Sequence, residues 1–168
     1  MNNSIDIFID GSINNQAKTL HAKHLRKAGY GIYIPEYNVQ ISNTFPLDNP
    51  TNNRAEYYAC IKSMEWVIEN QHNNKQVNIY TDCQLLIDSL TKWLAGWVKR
   101  GWKTASGEPV KNQDLLLRLV ELKNKLNIKF IKVRSHQKEP SNTNSIEWYQ
   151  WKGNDVADAL AKKGQRLE

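Results

Sequence analysis

Four acidic residues of this 168-residue chain lie where a carboxylate could do chemistry. Asp10 lies within or at the end of an apolar strand segment, and Asp82 directly follows the run Val77–Thr81. Glu56 and Asp158 lie among small and apolar residues of two predicted helices. A carboxylate beside apolar residues is rarely left unpaired, because a buried charge needs a partner. For any one of them alone, a salt bridge or a helix cap would be the commoner role.

Two of these acids, Asp10 and Asp82, could lie close together because of the strands that carry them. The ends of adjacent parallel strands lie about 4.7–4.9 Å apart, so Asp10 and Asp82 could stand side by side. Two carboxylates that close repel by roughly 4 kcal/mol at an effective dielectric constant of 20. A divalent cation removes this repulsion, and a ligand set made only of oxygen atoms suits Mg²⁺ or Mn²⁺. Two such ions about 3.5–4 Å apart form the usual clamp for attack at a phosphodiester.

The pattern of apolar residues predicts the elements that position these acids. Alternation in Ser4–Asp10 predicts the first strand, and four further segments are strand-like: Tyr30–Ile34, Val39–Phe45, Val77–Thr81 and Ile128–Val133. Four helices are predicted. They are Thr51 (as cap) to Ile68, Cys83–Leu90, a helix capped by Asn112 with a leucine stripe, and Asn154 to about Gln165. A polar loop is predicted over 141–145.

This order of elements predicts an α/β domain spanning residues 1–168, with a five-stranded mixed sheet. The first three strands have short connections and should pair antiparallel, whereas the later strands follow helices and should run parallel. Helices are expected on both faces of the sheet.

Composition narrows the class of protein and its partners. The chain has 23 basic and 17 acidic residues, a net charge of +6, which favours a polyanionic partner. Two cysteines cannot form a disulfide framework, and they predict free thiols in a reducing compartment, the cytoplasm. No secretory signal or apolar run of membrane-spanning length is present in the sequence. We expect a monomer without membrane contact.

Basic residues concentrate in two stretches. The segment 92–111 contains five Lys and Arg residues against one Glu, with Trp93, Trp97 and Trp102 among them. Cations interleaved with aromatic rings are typical of nucleic-acid grooves, although a charge run is often only a solvated face. The second stretch, 14–27, is also basic, and no acidic residue lies between Asp10 and Glu36.

Four short motifs in order give the chain a resemblance to type 1 ribonuclease H over nearly its whole length. They are Ile7-Phe8-Ile9-Asp10-Gly11-Ser12, Thr51-Asn52-Asn53-Arg54-Ala55-Glu56, Tyr80-Thr81-Asp82, and Asn154-Asp155-Val156-Ala157-Asp158 followed by Ala159-Leu160-Ala161. Segment 93–112 resembles the basic protrusion of that family, the most specific stretch of the chain.

The resemblance implies a ribonuclease H fold and a defined activity. The expected reaction is endonucleolytic hydrolysis of the RNA strand of an RNA/DNA hybrid with two Mg²⁺ ions, leaving 5′-phosphate and 3′-hydroxyl ends. Mn²⁺ could substitute. By position in the motifs, the implied metal ligands are Asp10, Glu56, Asp82 and Asp158. His136 matches the family's loop histidine, which assists proton transfer and product release.

The resemblance also assigns nucleic-acid contacts. Asn52 and Asn53 match residues that read 2′-hydroxyl groups, a role amides can fill, although both could also cap a helix. Thr51 and Asn112 match a pocket for a DNA-strand phosphate. Further contacts are expected from the basic segment: Trp93, Lys99, Arg100, Trp102, Lys103 and Lys111.

Two segments depart from the family pattern. One is the long basic stretch 14–27, and the other is 137–153, interpreted as an insert that extends the His136 loop. The aromatic residues of this insert could order the loop or pack it onto the body of the protein. Two alternatives for function stay open: another nuclease or transposase-type enzyme of the same fold, and a non-catalytic hybrid-binding module.

Overall fold

The computed structural model describes residues 3–14 and 26–166. It contains a five-stranded sheet in the order β3-β2-β1-β4-β5. The strands are β1 (Ser4–Ile13), β2 (Ala28–Ile34), β3 (Val39–Thr44), β4 (Gln76–Thr81) and β5 (Asn127–Lys132). β1–β2 and β2–β3 pair antiparallel, whereas β4 pairs parallel with both β1 and β5. The predicted mixed sheet is confirmed.

Helices cover both faces of the sheet, as predicted. They are α1 (Asn52–Glu69), α2 (Gln84–Asp88), α3 (Leu94–Lys99), α4 (Gln113–Lys123) and α5 (Ile146–Gly164). Because side chains alternate along a strand, Ile7 and Ile9 of β1 join the core shared with α1 and α4. Phe8 points to the other face, where it packs with Ala157 of α5. We call these the α1 face and the α5 face.

Close approach to β2 fixes α5 on its face of the sheet. A Cβ atom on Gly31 would lie 2.4 Å from the Ala157 carbonyl oxygen, and one on Gly29 would lie 2.1 Å from the Gln165 nitrogen. Only glycine permits this packing distance. The Ser42 hydroxyl donates to the Leu160 carbonyl at 2.6 Å, and the Thr44 hydroxyl donates to the Gly164 carbonyl at 2.9 Å.

Two details of the middle helices differ from the sequence prediction. The second helix does not stop at Leu90, because a π-turn at Ser89–Trp93 joins α2 to α3 and carries the helical path to Lys99. Asn112 precedes α4, but its backbone is left-handed (φ 62°) and its side chain makes no capping bond. Its side chain instead accepts a hydrogen bond from Arg54.

The largest correction concerns α5, which begins at Ile146 and not at Asn154. Ser145 caps the helix by accepting a hydrogen bond from the Trp148 backbone nitrogen at 3.0 Å. About half of the segment interpreted as a loop insert, residues 146–153, therefore forms the first two turns of α5, and the connection after β5 is correspondingly shorter. Tyr149 anchors these turns, because its ring packs on Phe8 and its hydroxyl donates to Asp6 at 2.8 Å.

Two further observations concern predicted properties. Cys60 is buried and Cys83 half-buried, and both thiols are free. Across the ranges described, no helix has both the length and the apolar character needed to cross a bilayer. Most of the basic stretch 14–27 (residues 15–25) lies outside the described residues.

Candidate active site

Three of the four predicted carboxylates meet at one edge of the sheet. The parallel register pairs Phe8 with Tyr80, so Asp10 and Asp82 stand two positions further along neighbouring strands. Glu56 reaches them from the first turns of α1. One carboxylate oxygen from each of the three residues lies within 4.8 Å of the others. The sequence-based pairing of Asp10 with Asp82 is therefore observed, with Glu56 added to it.

Backbone and hydroxyl donors hold Glu56 in place. The Gly11 backbone nitrogen donates to Glu56 Oε1 at 2.9 Å, and the Thr81 hydroxyl donates to Oε2 at 3.3 Å. Gly11 also donates to Asp10 Oδ1 at 2.9 Å. A Cβ atom on Gly11 would lie 2.6 Å from the Glu56 nitrogen, so α1 approaches β1 as closely as it does because residue 11 is glycine.

The electrostatics of this cluster are those of crowded, buried acids. Asp10 and Glu56 are each only 4% exposed. Burial raises the pKa of Asp10 far above its ordinary value, and the neighbouring Glu56 raises it further. Burial also raises the pKa of Glu56, to about 8. Burial and the nearby Asp158 raise the pKa of Asp82, whereas Lys132 and His136 lower it, and the net change is upward. Without a cation, these acids resist ionisation.

Asp158 borders the same cleft from α5, but it is not part of the close triad. Its carboxylate pairs with Lys162 one helical turn along at 3.0 Å, and its side chain is 28% exposed. It is near enough to Asp10 to raise the pKa of that residue. All four predicted carboxylates thus line one open cleft of about 360 Å³, three at its floor and Asp158 at its wall.

His136 lies at the mouth of this cleft, in the connection between β5 and α5. The residue is exposed and its backbone is left-handed, with φ 56°. That conformation is uncommon for residues other than glycine, although histidine is among the more frequent exceptions. The imidazole is therefore presented to solvent beside Asp82 and Asp158 and not packed into the core.

The rest of the cleft wall combines predicted and unpredicted residues. Asn52 and Asn53, exposed at the start of α1, line it as the sequence predicted. Ser12 and Lys162 also line it and were not singled out from the sequence. Lys162 follows Asp158 by four residues in a predicted helix, and this spacing, which brings two residues to one helix face, was the signal available.

Thr51 and Asn112 are brought together by Arg54. Thr51 caps α1 by accepting a hydrogen bond from the Arg54 backbone nitrogen at 3.0 Å. The Arg54 guanidinium donates to Asn112 at 3.2 Å and makes a two-pronged contact with Asp114 at 3.0 and 2.8 Å. The pKa of Asp114 is lowered by this hydrogen bond with Arg54. Arg54, only 9% exposed, thus joins the two predicted phosphate-pocket residues, a role not assigned from the sequence.

The basic segment 92–111 projects from the α1 face. Its predicted phosphate-contact cations, Lys99, Arg100, Lys103 and Lys111, are all exposed. Within the described part of the chain none of them forms an ion pair with a carboxylate. Trp93 is 41% exposed, whereas Trp102 is half-buried against the α1-face core, which leaves less of its ring for a ligand.

The fold and the site together define a class of protein. A mixed five-stranded sheet that gathers three carboxylates at one edge, with a fourth on the last helix, can bind divalent cations through hard oxygen ligands, as metal-dependent nucleases do.

Comparisons with known proteins identify the family. A family model described as RNase H matches residues 2–166. The ribonuclease H of Pseudomonas savastanoi pv. phaseolicola is 32% identical over 164 residues, covering 98% of this chain and 94% of that protein. The ribonuclease H of Oleidesulfovibrio alaskensis is 40% identical over 140 residues, covering 82% of each chain. The chain therefore belongs to the ribonuclease H family and is a ribonuclease H enzyme.

Solved structures share the fold. The solution structure of the PFV RNase H domain is 25% identical with a TM-score of 0.70, covering 96% of this chain and 93% of that one. LC9-RNase H1, described as a type 1 RNase H with the type 2 active-site motif, has a TM-score of 0.72 at 21% identity. This comparison covers 98% of this chain and 73% of that one.

Proposed function

We propose that the protein hydrolyses the RNA strand of RNA/DNA hybrids with two Mg²⁺ ions and leaves 5′-phosphate and 3′-hydroxyl ends. One observation carries this proposal: three carboxylate oxygens within 4.8 Å of one another, with Asp158 on the same cleft. Among structural relatives, the foamy viral protease-reverse transcriptase and LC11-RNase H1 are described in complex with an RNA/DNA hybrid.

The donor set fits Mg²⁺. Asp10, Glu56, Asp82 and Asp158 offer only carboxylate oxygens, the hard ligands that Mg²⁺ prefers, and Mn²⁺ accepts the same set. The raised pKa values of Asp10 and Glu56 support the assignment, because positive charge at the cluster would restore their ionised forms. When bound, the two ions would activate a water molecule for attack on phosphorus and stabilise the departing 3′-oxygen.

The residues of the chain would do the remaining work. Gly11 and Thr81 fix the carboxylate of Glu56 by hydrogen bonds, so the ligand cluster is formed before the substrate arrives. His136, exposed at the mouth of the cleft, would carry a proton between solvent and the reacting oxygens and assist the departure of the product. Lys162 would hold the Asp158 carboxylate on the cleft until substrate and metal compete for it.

Strand selection would come from the α1 side of the cleft. The side-chain amides of Asn52 and Asn53 can both donate and accept, and a 2′-hydroxyl group does the same. Both residues are exposed within the cleft, next to the carboxylates. Thr51 and Asn112, joined through Arg54, would bind a phosphate of the DNA strand, and the basic segment with Trp93 would hold the DNA strand beyond it.

Cleavage of matched substrates tests the proposal. End-labelled RNA/DNA hybrid, duplex DNA and duplex RNA of one sequence are incubated with the protein in Mg²⁺, in Mn²⁺ and in EDTA. We expect internal cuts only in the RNA strand of the hybrid, only with a divalent cation, and 5′-phosphate ends on the products. Cleavage of duplex DNA would indicate a different nuclease of this fold, and binding of the hybrid without cleavage would indicate a non-catalytic module.

A further inference from the structure

A second groove lies on the α5 face, outside the catalytic cleft. It runs between the end of β5, the connection 134–140 and the first turns of α5, and its volume is about 320 Å³. We call it the β5 groove. Its polar and aromatic lining includes Lys132, Arg134, Lys138, Glu147, Gln150 and Trp151.

The charge of the β5 groove is predominantly positive. Three cationic side chains line it against one carboxylate, Glu147. Other cations of the fold, such as Arg118 and Lys162, are neutralised by carboxylates at about hydrogen-bond distance. In the ranges 3–14 and 26–166, neither Arg134 nor Lys138 has such an ion pair. Lys132 donates to the Asp82 carbonyl, which ties the groove to the catalytic strand.

The wall of the groove is built by contacts within the protein. The Trp151 indole nitrogen donates to the Gln137 carbonyl at 2.9 Å, and the Trp148 indole nitrogen donates to Glu139 at 3.2 Å. These bonds fasten the connection after β5 to the first turns of α5. Tyr149, bonded to Asp6, fastens those turns to the sheet. A groove held in this way is preorganised, which lowers the cost of ordering it when a ligand binds.

The groove adjoins the catalytic cleft. A small cavity of about 40 Å³ lies between them and shares Gln137 and Trp151 with the groove and Ser135, His136 and Asp158 with the cleft. Asn154 also lines it, is only 8% exposed, and its side-chain oxygen has no hydrogen-bond partner within the described ranges. Buried polar atoms of this kind commonly bond an ordered water molecule.

The β5 groove and the basic segment lie on opposite faces of the sheet. Trp97 and Trp102 of the basic segment pack against the α1-face core, whereas Val133 and Tyr149, beside the groove, belong to the α5-face core. The carboxylates lie between the two. If the DNA strand runs over the basic segment, it lies on the face of the sheet opposite the β5 groove. The groove can then receive only the other strand, the RNA strand that lies in the cleft.

We propose that the β5 groove binds one nucleotide of a single-stranded RNA tail that continues the cleaved strand beyond the hybrid. This inference rests on the proposed function. A volume of about 320 Å³ is at the lower end of the range for small-ligand sites, about 300–1,000 Å³, which suits a single nucleotide and not a duplex. Arg134 and Lys138 would contact its phosphates, and the indole of Trp151 offers an aromatic surface to its base or sugar.

Affinity for tailed and blunt hybrids tests the inference. The cleavage-deficient Asp10→Asn protein is titrated with a short blunt hybrid, with the same hybrid carrying a short RNA tail at its 5′ or its 3′ end, and with DNA-strand tails as controls. We expect a gain of at least about fivefold in affinity for an RNA tail at one end only. The salt dependence of binding should also steepen, by about 0.7 in the log–log slope for each tail-binding cation.

The double variant Arg134→Ala/Lys138→Ala locates the binding. It should lose the preference for the tail and the added salt slope of about 1.4 expected for two cations. The control variant Lys125→Ala/Lys129→Ala removes the same charge near the opposite end of β5. It should keep the preference for the tail and the added salt slope. Glu147→Gln should increase the preference for the tail, because it removes the one carboxylate of the groove.

Any of four results would overturn the inference. Two are equal affinity for tailed and blunt hybrids and an equal gain from DNA-strand tails. The others are an equal gain from RNA tails at both ends and a tail preference that persists in Arg134→Ala/Lys138→Ala. The proposed function is judged separately, by whether the wild-type protein cleaves the blunt hybrid.

Discussion

The floor of the catalytic cleft and the basic segment hold charge in opposite ways. The floor packs three acids of one sign together, two of them 4% exposed, and burial raises the pKa of each. The basic segment spreads cations over an exposed surface. Buried charge acts strongly over short distances, whereas exposed charge is screened within about 10 Å at 0.1 M salt. The floor is therefore suited to chemistry and the basic segment to salt-dependent affinity.

Asp10→Asn should have the largest effect, because it changes the floor alone. Removing one negative oxygen ligand without changing side-chain shape should lower the cleavage rate by at least about 10³-fold, the loss of several kcal/mol of transition-state stabilisation. Affinity for the hybrid should be kept, since the basic segment is untouched. Single-turnover cleavage and binding isotherms measure the two separately, and near wild-type cleavage would remove Asp10 from the ligand set.

Stability of the metal-free protein should depend on pH through the same acids. The pKa of Glu56 is about 8 in the folded protein and ordinarily 4.5, so the unfolded chain loses its proton first as pH rises. Folded stability should therefore fall as pH rises from about 4.5 to 8, and Asp10, whose pKa is raised further, acts in the same direction and continues the fall above pH 8.

Thermal melts in EDTA across this pH range measure the effect. Mg²⁺ should remove most of the fall in Tm, and Asp10→Asn should reduce it even in EDTA. A flat profile in EDTA would mean that the floor is not under electrostatic strain.

His136→Ala changes the mouth of the cleft on its α5 side. General acid–base groups typically contribute about 10²–10⁴-fold, and we expect a loss at or below the lower end because solvent can also carry the proton. The kcat should fall while KM changes little, and added imidazole should restore part of the rate. An unchanged kcat would leave His136 without a role in the reaction.

The basic segment should show smaller effects that depend on salt. Lys99→Ala/Arg100→Ala/Lys103→Ala should weaken hybrid binding and reduce the log–log salt slope by about 0.9 per lost phosphate contact, if the hybrid behaves like B-form DNA. The maximal rate should change less than the affinity. Lys123→Ala/Lys125→Ala/Lys129→Ala is a charge-matched control, and an equal change in its slope would mean that the segment has no special position.

Tyr149→Phe should have the smallest effect, on stability alone. It removes the hydrogen bond to Asp6 and keeps the aromatic packing on Phe8, so the free energy of unfolding should drop by about 1–3 kcal/mol.

Deleting 141–152 should instead unfold the protein, because it removes the first turns of α5. Denaturant melts measure both, and a stable deletion variant would contradict the packing of α5 described above.

Local patterns were sufficient to predict the sheet and the close pair of acids. Asp10 belongs to a short apolar strand and Asp82 follows another. Because these two strands are adjacent and parallel, residues at their carboxyl ends lie side by side, and this can be predicted from the local sequence of each strand. The same reasoning placed Glu56 one turn into α1. These features depend on periodicities of two and of 3.6 residues, which a sequence displays directly.

Other features depend on contacts between residues far apart in sequence. The early start of α5 is stabilised by Tyr149 bonding to Asp6, 143 residues away, and the polar sequence before it favours a loop by its composition alone. The bridging role of Arg54 needs Asp114, 60 residues away. The left-handed backbone at His136 has no local signal comparable to a glycine.

The packing of α5 against the first strands also determines the order in which parts of the active site form during folding. Asp158 is carried by a helix whose hydrogen bonds to β3 join residues 118 and 120 positions apart. Contacts that distant form late, because a long loop must close before they contribute. During synthesis, β1 to β4 with α1 can therefore assemble the three buried acids while the chain still lacks its fourth. Docking of α5 is the step that brings Asp158 to the other three acids and completes the cluster.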